Sequence, residues 1–159
     1  MAALYVVMFL LAWGLALLGA TELVFDIADI ESEAPLAMWQ LLSSAICTGV
    51  MIGAVAMIAW AANRFLKVTY RNGFFIEGAA KACLRMGQGL TLFWLGLLLT
   101  ESFMPWILTY NFPPAEKAGI EWFVLDAGFI ALLAGVVLIL MAQAMDEARA
   151  IDADNKQII

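Results

Sequence analysis

From Leu36 to Ala62 the chain reads LAMWQLLSSAICTGVMIGAVAMIAWAA, without one charged residue. A helix needs about 20 mostly apolar residues to cross a bilayer, so this run spans one with residues to spare. Three other stretches share its character: residues 1–23, 83–110 and 122–145. Hydrophobic residues make up 65% of the chain and charged ones 14%, whereas water-soluble domains are about half apolar. A chain of 159 residues reads as one domain, and its interior is too small to hide that surplus, which therefore faces lipid. The first stretch lacks the basic leader and small-residue cleavage site of a secretory signal, so it reads as an uncleaved span. The expected fold is all-α: a transmembrane four-helix bundle of two antiparallel hairpins.

The connectors orient it. Between the second and third spans, across residues 63–82 and the start of the next helix, lie Arg64, Lys67, Arg71, Lys81 and Arg85. Between the first and second there are only acids: Glu22, Asp26, Asp29, Glu31 and Glu33. Basic residues near span ends stay on the cytoplasmic side, so this connector, the tail 146–159 and the N-terminus are expected inside. Tyr5, Trp60 and Tyr70 then fall near the inner boundary, and Trp39, Trp106, Tyr110 and Trp122 near the outer one. Helices meet in lipid through small residues. Ala45, Gly49 and Gly53, and likewise Ala127, Ala131 and Gly135, recur at four-residue steps; either stripe reads as an internal seam or as a dimer contact.

Histidine is absent, and with it go the commonest metal ligand and general base. Cys47 and Cys83 differ in depth by about 20 Å along the helices, beyond disulfide reach, and read as packing residues. No nucleophile–base pair stands out. Neither an enzyme nor a cofactor is expected, and a net charge of −6 does not point to nucleic-acid binding.

Three carboxylates lie at one level. Glu101 is about 24 Å from Arg85 along a straight helix, just inside the outer boundary of a layer about 30 Å thick. Glu22 and Asp126 count out to a similar height. One reading has these acids simply reaching headgroup water, with Pro105 loosening the helix end. The other makes Glu22, Glu101 and Asp126 a protonatable outer pocket, beside the carbonyl that Pro105 frees on Glu101. WGLALLGATE (Trp13 to Glu22) also resembles WLGLLLTE (Trp94 to Glu101), as two duplicated hairpins would, making Glu22 and Glu101 equivalent positions.

On the cytoplasmic side, Asn72-Gly73 signals a turn and a helix is expected from Ile76 into the third span. Five cations against Glu77 give this connector a charge of about +4, while the tail carries about −2; the two are expected to attract each other. The surface reads either as a basic face on anionic lipid or as a docking surface for a protein.

Phe74, Glu77, Lys81, Leu84, Arg85 and Gly87 occur in an order that resembles a motif of the bacterial family catalogued as domain of unknown function 2975. The terminal run from Ala148, with Ile151, Asp152, Asp154, Asn155 and Ile158-Ile159, resembles that family's tail. The likeness extends over nearly the whole chain. Where the family has a capping serine after the phenylalanine, this chain has Phe75-Ile76. The resemblance implies a small four-span protein of the bacterial inner membrane with no established activity. Its genes often neighbour a small helix-turn-helix regulator. The leading expectation is therefore an interaction protein that docks such a regulator through Arg64, Lys67, Arg71, Phe74, Glu77, Lys81, Arg85, Asp152, Asp154 and Asn155. The alternative is a small transporter subunit or ion-linked sensor using the outer carboxylates.

Overall fold

The computed structural model describes residues 11, 13–14, 24, 36–72, 76–114, 116–119 and 127–157. Helix α1 runs Met38–Asn72 and α2 runs Glu77–Leu98. A wide π-helical turn, Leu99–Phe103, joins α2 to the short α3, Met104–Leu108, and α4 is Ala127–Gln157. No strand occurs among the described residues. Three helical stretches are long and apolar enough to cross a membrane: Met38–Tyr70, Glu77–Leu108 and Gly128–Asn155. Residues 1–10, 12 and 15–23, most of the expected first span, lie outside the described residues. Of the described residues beside them, Trp13 and Val24 are buried, in one apolar cluster with Leu41, Met104 and Leu108.

Helix α2 lies between α1 and α4 and packs along both, while α1 and α4 scarcely touch. Both pairings are antiparallel. Gly78 faces Val68, Gly89 faces Ile58 and Gly96 faces Met51; on the other side, Gly87 faces Gly135 and Gly128 faces Trp94 and Leu97. The buried positions of α1 include Gln40, Ser44, Cys47, Ala54 and Ala61, spaced by three, four and seven residues. That spacing keeps one seam against a neighbour crossing at a shallow angle.

The approach is closest at the α2 glycines. A Cβ on Gly96 would stand 2.7 Å from Met51 Cα, and one on Gly87 would stand 2.6 Å from the Gly135 carbonyl oxygen. Of the two expected small-residue stripes, Gly135 is on an internal seam. Gly53 is not: it is exposed and a Cβ there would meet nothing within 4 Å. The seam residues of α1 lie on another face, and the glycines that matter most are on α2.

The packing is reversed relative to a water-soluble domain. Many of the buried residues are small or polar, among them Ala79, Ala80, Ala82, Ser44, Thr48 and Gln40. The outward face of α4 shows Ile130, Leu133, Val136, Val137, Leu140 and Met141. Lipid gives helices no hydrophobic reason to associate, so close contact of small residues takes over. The expected burial of both cysteines is found, and neither is bonded to the other; Cys83 Sγ instead donates to the Leu138 carbonyl at 3.3 Å, from α2 to α4.

At 1.5 Å per residue, α1 is about 52 Å long, some 20 Å more than the hydrocarbon layer. Trp39 and Trp60 stand about 32 Å apart along it, one bilayer thickness, as an aromatic belt at each surface requires. The remainder, Ala61 to Asn72, is polar and helical. So is Asp146 onward in α4, whereas Glu77 to Leu84 at the start of α2 is helical with only Glu77 and Lys81 charged. Of the expected connector 63–82, residues 63–72 and 77–82 are helical, and residues 73–75 lie outside the described residues. Hydropathy ends where lipid ends, but the helices continue.

Candidate functional site

The structure has two polar regions, one at each end of the bundle. At the end marked by Trp39 and Tyr110, Pro105 has no N–H to donate and its ring would clash with the Glu101 carbonyl four residues back. The helix does not fray there, as the sequence led us to expect. Its preceding turn widens instead, so that the Met104 N–H reaches the Leu99 carbonyl, five residues back, and α3 continues to Leu108.

The carbonyls at the end of α3 are bound by Gln40, which is 1% exposed. Its Nε2 donates to the Ile107 and Leu108 carbonyls, each at 2.9 Å. Its Oε1 accepts from the Ala37 N–H at 2.9 Å and from Asn111 Nδ2 at 3.3 Å. Every donor and acceptor of this amide is used. Thr109 completes the cap: its hydroxyl donates to the Pro105 carbonyl and accepts from the Ala118 N–H. Outside it, Tyr110 makes edge-on contacts with Trp39 and Trp106, both at 5.6 Å between ring centres, and Lys117 Nζ lies 5.2 Å from the Tyr110 ring. Of the four aromatics expected at this boundary, Trp39, Trp106 and Tyr110 come together; Trp122 lies outside the described residues.

Of the expected outer carboxylates, Glu101 is exposed, in the middle of the wide turn. Glu22 and Asp126 lie outside the described residues. Next to Glu101, Ser102 is buried and its hydroxyl has no hydrogen-bond partner. The Ser44 hydroxyl is also buried and unpartnered; its carbonyl accepts from the Thr48 hydroxyl at 3.0 Å.

At the opposite end the expected docking residues divide into two groups. Glu77 pairs with Lys81 one turn on. Arg149 reaches from α4 to Glu77 at 3.8 Å and to Asp146 at 3.1 Å. The Lys81 hydrogen bond, then its charge and that of Arg149, hold the Glu77 carboxyl below its ordinary range. In the Arg149–Glu77 pair the tail supplies the cation and the connector the acid. Asp152, Asp154 and Asn155 are exposed farther along α4. Ile76 offers no side-chain cap to α2, and Glu77 in the first turn complements the exposed N–H groups instead.

The second group centres on Trp60. Arg64 from α1 and Arg85 from α2 lie 5.6 and 4.9 Å from its ring centre. Lys67 is exposed on the same face of α1. Arg71 is in the last turn of that helix, and Phe74 lies outside the described residues. Sequence reading missed Gln40 and the convergence on Trp60. A lone amide in a charge-free span was the available signal for Gln40, since lipid leaves no polar group unpaired.

These features define a class: an all-helical protein with three helices able to cross a membrane and a polar helical extension at one end. Comparison of the chain with protein-family models, with curated proteins and with solved structures finds no match.

Proposed function

We propose that the chain is a four-span protein of a bacterial inner membrane, with its first span at residues 1–23 and both termini in the cytoplasm. Its helical extension serves as a docking platform for a soluble partner. The observation that carries this reading is the continuation of α1 and α4 past their apolar stretches as charged helices, with Arg149 of α4 paired to Glu77 at the start of α2. A protein whose work lay wholly within lipid has no need of this extension. The basic residues Arg64, Lys67, Lys81 and Arg85 support a cytoplasmic side for it by the positive-inside rule. The partner proposed is a small helix-turn-helix regulator, on the resemblance of two short motifs to those of domain of unknown function 2975. Charge complementarity at such a face contributes orientation and association rate more than affinity. The test is co-purification from native membranes in mild detergent, with the full chain and with a chain ending at Met145. A regulator recovered only with the full chain supports the platform; no protein recovered with either rules it out.

One observation favours a second reading, an ion- or proton-linked sensor or transporter subunit. The wide turn at Glu101 puts a carboxylate beside a buried, unpartnered serine, and such turns recur at functional sites. Flux into liposomes measured across pH for the native chain and for Glu101→Gln tests it; identical behaviour ends that reading.

A further inference from the structure

The Trp60 cluster differs from the charged group around Glu77. Glu77, Lys81, Arg149 and Asp146 form a chain of two cations and two acids and neutralise one another. Arg64 and Arg85 have no ion-pair partner among the described residues; what they share is one indole ring. Two antiparallel helices thus bring two guanidinium groups to the same aromatic side chain, and like charges brought together repel. Stacking on the ring offsets part of that cost, since a cation within about 6 Å of an indole is attracted to its face. An anion lying between the two forks would offset the rest.

The position identifies the anion. Trp60 is 48% exposed and stands about one hydrocarbon thickness from Trp39 along α1, at the level of the headgroups. Both arginines are exposed there. Arginine presents a planar fork that binds phosphate oxygens in pairs. The indole holds both forks in place before any ligand arrives, which lowers the ordering cost of binding. We propose that Arg64, Arg85 and Trp60 form a binding site for the phosphate of an anionic phospholipid on the basic side of the membrane. This rests on the membrane placement above but not on the soluble partner. A lipid held there would bridge α1 and α2 where they leave the bilayer, beside the docking face.

The full chain in nanodiscs of phosphatidylcholine containing a minor fraction of phosphatidylglycerol is released into native mass spectrometry, and retained lipid is counted. The native protein retains phosphatidylglycerol in preference to phosphatidylcholine. The double variant Arg64→Lys/Arg85→Lys keeps every charge but loses both forks, and its retention falls at least about fivefold, the equivalent of one generic surface cation. Lys67→Gln, which removes a neighbouring charge and no fork, lowers retention by less than the double variant. Trp60→Leu, with both arginines present, also lowers it. Retention by the double lysine variant equal to the native protein, or a larger loss with Lys67→Gln, overturns the site and leaves only diffuse attraction. Millimolar inorganic phosphate added to pure phosphatidylcholine discs should give no phosphate adduct; an adduct as abundant as the phosphatidylglycerol one overturns the lipid assignment. Flotation of each variant with the discs separates these results from failed insertion, which would count against the membrane placement itself.

Discussion

At the Trp39 end of the bundle, α1 and α3 are joined by an amide that is 1% exposed and fully hydrogen-bonded. At the Glu77 end, α2 and α4 are joined by the Arg149–Glu77 ion pair, whose side chains are 34% and 56% exposed. The difference follows from the solvent. Near the apolar layer an unpaired carbonyl has nowhere else to turn, so one side chain that satisfies two of them is strongly held. Beyond the headgroups, water competes for every charge, and ion pairs contribute little. The Trp39 end should therefore fix the geometry of the bundle, while the Glu77 end holds a surface whose charges are free to exchange partners.

The comparison is tested most severely by the seam that joins the two ends. Gly96→Leu forces a side chain into the Met51 backbone and should cost about 3 kcal/mol, read as a large fall in the melting temperature in detergent. Gly53→Leu is its control, since that position opens onto space, and should leave melting unchanged. Next in size, Gln40→Leu removes both clasps on the end of α3 and should cost about 2 kcal/mol; amide exchange should rise at Leu108 to Phe112. Equal melting for Gln40→Leu and the native chain would erase the proposed contrast.

The smallest effect belongs to the charged end. Glu77 binds a proton less readily in the folded chain than in the unfolded one, because Lys81 and Arg149 stabilise its carboxylate. Its contribution is therefore present above the unfolded value and is lost as pH falls through the lower folded one. Glu77→Gln should remove that acid dependence while barely moving the midpoint at neutral pH. A destabilisation at pH 7 as large as that of Gln40→Leu would contradict the ranking.

Much of this architecture was legible because lipid imposes a blunt requirement: the apolar runs at 36–62, 83–110 and 122–145 each contain much of a long helix. The true helix ends were not, since α1 continues to Asn72 through residues as polar as Asn63 and Lys67. The seam was obscured for a related reason. A helix that is apolar all round carries no hydrophobic period, and only its small and polar positions reveal the inner face. Gly53 and Gly96 look alike in sequence; what separates them is whether a neighbouring backbone lies opposite. Pro105 was legible as a disturbance, but neither the wide turn before it nor the capping of α3 by Gln40 from another helix was. Arg64 and Arg85 read simply as basic residues until the antiparallel pairing of α1 and α2 brought both to Trp60.

The most direct test is the side of the membrane on which each end emerges. Cysteines are placed at Tyr70 and Asn111, one near each end, and reacted with a membrane-impermeant maleimide in intact cells and in inverted vesicles; the native Cys47 and Cys83 are buried. Asn111→Cys should react only in intact cells and Tyr70→Cys only in inverted vesicles. Reaction of both from the same side would contradict a bundle that crosses the bilayer between its two tryptophan levels.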